Sequence, residues 1–475
     1  MKKTTFFVLL LSFAASIITF QSCRQDDIVS PIDTTVIPAD TTKIFSNTYG
    51  SNLSDLVTGV QQTNDNGVIV CGFTISTAFG DNDIFIIRYD GSGNILWSNL
   101  YGGIGNDQAT SMAKCGDGGF IITGHTTSFS GTFDPFTIKI TASGTIEWTR
   151  YYPWWNEDYA NNVIQTSDGG YMLTGYSNSF GSGGYDIYTL KIDQSGSVMW
   201  ARCFGGGEND FGNAIVETPE GGYVVGGYTF SYGVMGDALI MKLYGDGVKI
   251  WSKNYGGIGL DNVKNIKKAT SGYIACGTTS SFGLVDEDAY VFNIDNQDGF
   301  VYWSRTFDGN AGGPSGFSKV MQSPDGGFML AGFTQNDIKN ANDAVLIKLF
   351  GDGEFDYGKL FGGVSNDQAV SLAYKQDGGI LLAGTTASFG AGSNDIYLLS
   401  LYNDATGCGP DNPFTPIAGT PTTEVFTADV IDMNINYETN TPAWNVAVFS
   451  VTPNTQCIQP PQNGLEPENN QVTKH

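Results

Sequence analysis

The sequence predicts an all-β protein built as a seven-bladed β-propeller of four-stranded blades. Three observations carry that prediction. A unit opened by an aromatic residue recurs seven times, at Tyr49, Tyr101, Tyr152, Phe204, Tyr255, Phe307 and Phe361, with spacings of 51 to 54 residues, and a period of this size marks a repeat architecture. Only 15% of residues are charged, while 63 are glycine and 13% are aromatic, a composition suited to strands joined by many tight turns. The last unit lacks a fourth strand that the N-terminal end of the chain supplies.

Taken in order, residues 1–22 read as a targeting segment. Lys2 and Lys3 precede an apolar run from Phe6 to Phe20, too short and too early for an ordinary membrane span. The run ends in "FQSC", which resembles a bacterial lipobox. That resemblance implies a lipoprotein signal peptide, with Cys23 lipidated (palmitate among its chains) as the mature N-terminus. The following "RQDD" resembles the acidic tag of surface lipoproteins of the Bacteroidota and implies an outer-membrane or cell-surface address. Two or more acyl chains suffice for stable attachment. Residues 23–41 would then be a tether.

Residues 42–408 carry the repeats. In the third unit, "ANNVIQT" reads as a strand and "SDGG" as a hairpin turn, with Gly169 and Gly170 expected at positive φ. "YMLTGYS", "IYTLKID" and "SVMWARC" are the next three strands, and "NSFGSGGYD" is a longer loop between the first two of them. Four strands per unit, repeated radially, is a propeller pattern. Four residues before each opening aromatic lie Phe45, Trp97, Trp148, Trp200, Trp251, Trp303 and Tyr357, expected as core between blades. A column of small residues, Cys71, Thr123, Thr174, Gly226, Cys276, Ala331 and Ala383, fits close-packed sheets, so Cys71 and Cys276 read as buried fillers. "TKIFSNTYG" (42–50) aligns with "NILWSNLYG" (94–102) and is expected to complete the seventh blade, removing an open edge.

Stretches such as "NDQATSMAKCGDGGFIITGHTTSF" make the units resemble the bacterial seven-bladed β-propeller repeat family, of the YGG…DGGY…G.T type, found in secreted and lipoprotein chains. The resemblance covers about residues 42 to 405. It implies the fold and no particular activity, since propellers host enzymes, lectins and scaffolds alike. Residues 409–475 differ. They are rich in proline, with two alternating stretches (424–437 and 443–451) that could pair as strands in a small β appendage. Cys408 and Cys457 flank this segment and could bridge it in an oxidising compartment, although spacing does not fix connectivity.

Composition excludes several chemistries. A net charge of −25 repels a phosphate backbone, so no nucleic-acid partner is expected. It also restricts membrane contact to the lipid anchor. Only His125 and His475 are histidines, and His125 shares a column with Phe73, Tyr176, Tyr228, Thr278, Phe333 and Thr385 that reads as packed strand residues. No triad, histidine-based metal site or phosphate loop follows, and no cofactor is expected.

Carboxylates remain. One column holds Asp55, Asp107, Asp158, Asp210, Asp261 and Asp367; a second holds Asp83, Asp134, Asp186, Asp237, Asp288, Asp343 and Asp395. Both fall on the face where strand four leads to the next blade. Calcium is possible there, since hard cations take oxygen ligands; the favoured reading is that each Asp bonds backbone N–H groups of its own loop. One unit departs from the repeat. Where its sisters read YGGIGND, FGGGEND, YGGIGLD and FGGVSND, the third reads "YPWWNED". Tyr152, Trp154, Trp155, Glu157 and Asp158 therefore make a candidate ligand-binding patch, aromatic beside acceptors, suited to a glycan or protein partner. The bland alternative is a packing variant. The expected function is a surface-anchored binding or scaffold module. The rival is a carboxylate-dependent polysaccharide lyase or glycoside hydrolase using Glu157 or Asp158.

Overall fold

In the computed structural model the described residues are 44–407, apart from 76–78, 284–286, 310–312 and 337–340, together with the backbone of six strands between 412 and 459. Cys23, the tether and Cys408 lie outside them, and of Cys457 only the backbone is described. The fold is a seven-bladed β-propeller of four-stranded antiparallel blades. The inner strands, such as Asp107–Lys114, Asp158–Gln165 and Asp210–Glu217, touch one another in a closed cycle around the central channel. Third strands such as Asp186–Ile192 are buried along their whole length because both faces meet neighbouring blades. Outer strands such as Val198–Gly205 alternate in burial because one face meets solvent.

Ring closure is as the sequence predicts. Ile44–Gly50 pairs antiparallel with Asp395–Leu401, Phe45 opposite Ser400 and Tyr49 opposite Ile396. Blades seven and one also join at the channel, where the Val60 N–H donates to Ser371 Oγ (3.1 Å).

Adjacent blades are held by two aromatic columns that converge on one glycine. Gly144, Gly196, Gly247, Gly299 and Gly353 turn the third-to-fourth-strand hairpins with φ between 73° and 84°, a conformation that favours glycine. A Cβ there would strike Trp97, Trp148, Trp200, Trp251 or Trp303 of the preceding blade. The opening tyrosine donates to the same glycine's carbonyl: Tyr101 to Gly144 (3.1 Å), Tyr152 to Gly196 (3.2 Å) and Tyr255 to Gly299 (2.9 Å). One expectation changes in detail. In "SDGG" only Gly169 takes positive φ (81°); Gly170 must be small because a Cβ would meet the Ile192 carbonyl.

The C-terminal segment is β, but its strands do not pair with each other. Each instead adds a fifth strand to the outside of a blade. Asn412–Pro413 pairs with blade six, Ile417–Gly419 with five, Glu424–Thr427 with four, Ile431–Asn434 with three, Asn445–Val448 with one and Thr452–Gln459 with seven. The segment encircles the ring as a belt. Blade two alone keeps four strands among the described residues.

Pro153 supplies a reason for that exception. The residue after the opening aromatic faces the belt in five other blades: Gly50 opposite Thr452, Gly102 opposite Asn445, Gly205 opposite Ile431, Gly256 opposite Glu424 and Asp308 opposite Ile417. The Tyr152 N–H points inward to the Pro135 carbonyl (2.8 Å), so the next N–H would point outward, and proline has none. The outer strand of blade two stops at Tyr151.

Candidate functional site

The loops joining strand two to three and strand four to the next blade interlock on one face of the ring. The Asn178 N–H donates to the Glu157 carbonyl (3.1 Å) and the Asp210 N–H to the Tyr185 carbonyl (2.6 Å). The opposite face carries the short hairpin turns. Both Asp columns lie under the loop face, and their side chains are buried. Asp107 shows their use: Oδ2 accepts from the Gly103 N–H (2.7 Å) and Ser128 Oγ (2.7 Å), and Oδ1 accepts from Thr126 Oγ1. Asp210, Asp261 and Asp367 repeat the pattern. Each such Asp ties its own loop, and among the described residues no group of three or more His, Cys, Asp or Glu side chains converges as a metal site.

The two columns meet as pairs at the glycine after the opening aromatic. A Cβ on Gly205 would collide with both Asp186 and Asp210, and one on Gly102 with Asp83 and Asp107. Burial, and then the Asp210 charge, pushes the Asp186 carboxyl up to about 7. Pro153 perturbs the corresponding pair. The Trp154 N–H donates to Asp134 Oδ1 (3.1 Å), not to Asp158 as the repeat would have it. Asp158 keeps Ser179 Oγ (2.7 Å) but leaves Oδ1 unpaired, and burial raises its carboxyl to about 7.

The structure divides "YPWWNED" between core and surface. Tyr152 is buried, bonded to Thr137 (2.9 Å) as well as Gly196. Trp154 is buried edge-on against Phe180 (5.2 Å) and Tyr188 (5.0 Å), and Asp158 has no accessible surface. These three side chains are covered by the protein itself. Trp155 is 87% exposed and Glu157 is exposed beside it. At the position matching Trp155, Ile104, Ile258 and Val364 are also exposed, so Trp155 is the largest of four apolar loop tips.

Glu157 leads to residues that sequence reasoning passed over. Its Oε2 accepts from Tyr185 Oη (2.8 Å) and Tyr159 Oη (3.3 Å). Tyr159 stacks on Tyr176 (4.8 Å), Tyr176 meets Phe211 edge-on (4.9 Å), and Phe211 stacks on Tyr228 (4.6 Å). His125 and Phe133 continue the arc from Tyr159 (4.9 and 5.1 Å). His125 is held neutral, its pKa lowered to about 4 by burial. This half-buried aromatic arc rims the channel mouth on the loop face across blades two to four. The stacked rings cover one another's faces, so the arc offers edges and hydroxyl groups, while Trp155 offers a free face. A signal was present. The residue after the first-column Asp is aromatic only at Tyr159 and Phe211, against Leu56, Gln108, Asn262 and Gln368 elsewhere.

No family model matches the chain. A curated relative, the regulatory protein FlaEY of Caulobacter vibrioides, is 25% identical over 212 residues that cover 37% of this chain and 22% of that protein. The chain thus spans less than a quarter of that relative. Among solved structures, Sqt1 from Chaetomium thermophilum is similar at a TM-score of 0.43 and 11% identity, covering 80% of this chain and 89% of that one.

Proposed function

We propose that this protein is a surface-anchored binding module that engages a glycan or protein partner through its loop face. The observation that carries the reading is Trp155, exposed at a loop tip beside a carboxylate that two tyrosine hydroxyls hold in place. An indole with a free face packs on the apolar side of a sugar ring or anchors a protein contact. A carboxylate fixed by donors is a preorganised acceptor for ligand hydroxyl or N–H groups. The arc beside them extends the surface with phenolic hydroxyls.

The anchoring part rests on Cys23 and its flanking sequence. Ile44 lies opposite Gln459 at the hairpin end of blade seven, and Gly50 at the loop end. The segment that follows Cys23 therefore enters the ring at its hairpin end. Of the carboxylates proposed for polysaccharide cleavage, Asp158 is sealed beneath the loop, which favours binding over turnover.

The test is a glycan and protein-partner screen of the mature chain, paired with a turnover assay on the polysaccharides that bind. Trp155→Ala and Glu157→Gln should each weaken the ligands found, with no product released. Ligands whose affinity ignores both substitutions would place the site elsewhere. Cys23→Ser should move the protein from the membrane to the soluble fraction, and unchanged fractionation would remove the anchor.

A further inference from the structure

We infer that the central channel binds a small oxyanion, a phosphate, sulfate or carboxylate group, between Lys267 and Lys319. The two lysines sit on adjacent inner strands, Asp261–Ala269 and Ser315–Gln322. Lys264, on the first of these strands, lies nearer the loop face, and its charge is influenced by Glu287. Lys267 and Lys319 keep some accessible surface, yet protein surrounds both ammonium groups closely enough that desolvation dominates their titration. Both conditions hold together for a group inside a narrow channel.

The molecule treats its other mostly buried lysines differently. Lys139 is paired with Asp117 (2.8 Å), Lys191 with Asp168 (2.8 Å), Lys348 with Asp325 (2.8 Å) and Lys375 with Asp377 (3.0 Å). Lys267 and Lys319 have no hydrogen bond or ion pair among the described residues. The positions matching them elsewhere in the ring are neutral, and the polar ones matching Lys319 bond the next inner strand: Ser371 Oγ accepts from the Val60 N–H (3.1 Å) and Asn162 Oδ1 from the Ile215 N–H (3.2 Å). The charges are thus concentrated on one wall, in a chain whose net charge is −25.

Two ammonium groups on adjacent strands, half-buried and without a carboxylate partner, repel each other unless a counter-charge lies between them. Burial, and then Lys267, lowers the Lys319 pKa to about 7; the nearby Cys276 and Cys71 thiols act in the opposite sense. An oxyanion bridging the pair supplies acceptors for several N–H donors and cancels the repulsion, a task for which compact lysine point charges are suited. The site is separate from the aromatic arc and stands whether or not the loop face binds a glycan.

The test is thermal unfolding and calorimetry of the mature protein at constant ionic strength, with inorganic phosphate, sulfate, acetate and glucuronate against chloride. At least one oxyanion should bind saturably and raise the melting temperature. A response to glucuronate above acetate would assign a saccharide-borne carboxylate, and a response to phosphate or sulfate a free tetrahedral anion. Lys319→Met should melt no lower than the parent in chloride, because it removes an uncompensated charge, while weakening the anion at least ten-fold. Lys267→Met gives an independent arm should Lys319→Met fold poorly, and Lys249→Met on an outer strand should keep full affinity. No anion response, or one unchanged in both channel variants, would overturn the site.

Discussion

Trp154 and Trp155 are neighbours in sequence with opposite environments. Read together, they looked like one exposed patch, because two indoles in a tight loop are hard to bury at once. The loop bends at Trp155, so one ring packs on Phe180 and Tyr188 while the other meets solvent. Trp154→Ala should cost about 3–5 kcal/mol of stability, the usual range for deleting a buried tryptophan. Trp155→Ala should change stability by no more than about 0.5 kcal/mol. Urea denaturation of the two variants measures both. Equal losses would mean that Trp155 is also structural. The arc was harder to read than the Trp pair. Aromatic residues on strands are ordinarily core, and nothing in a single sequence says that Tyr159, Tyr176 and Phe211 rim a channel mouth.

At the scale of the blade, the recurrent element is a pair of buried carboxyl groups over a glycine. Each pair was legible as two columns on one face, and local backbone bonding is seen at Asp107, Asp210, Asp261 and Asp367. The proximity of the columns was not legible, because it depends on how two loops cross. This proximity gives a pH dependence. Folding raises Asp158 and Asp186 to about 7 and Asp134 to about 6, above an unfolded value of about 3.9. Between those limits the native state holds more protons than the unfolded state, so stability declines as pH rises. His125, lowered to about 4 by burial, and Lys319, lowered to about 7, work in the opposite direction, the first only below about pH 6.5 and the second mainly above pH 7. Denaturant midpoints should therefore fall from pH 5 to pH 7. A midpoint that rises across that window would contradict the account of the pairs.

Over the whole molecule, the ring was readable because every packing column is sampled seven times, so a chance residue in one blade cannot hide the pattern. The belt was not readable. Its strands are short, do not repeat, and join the blades through backbone groups that leave no side-chain signature. The first and last described strands both lie in blade seven, where Ile44–Gly50 sits between Asp395–Leu401 and Thr452–Gln459. Removing residues 24–41 should leave the melting temperature unchanged, whereas removing 24–50 should lower it sharply and expose a sheet edge to aggregation. Deleting 409–475 should uncover the outer edges of six blades and promote self-association, visible by light scattering. Equal melting of the two N-terminal truncations would refute closure by the N-terminal strand.

A partner docked on the loop face, as proposed, and one docked on the hairpin face would cover different side chains. Hydroxyl-radical footprinting of the mature protein, with and without its best ligand from the screen, tells the two apart most directly. Loop-face docking should protect Trp155, Tyr185 and Tyr228, with Tyr244 and Phe350, exposed in hairpin turns, labelled equally in both states. Protection at Tyr244 and Phe350 with Trp155 unchanged would contradict it.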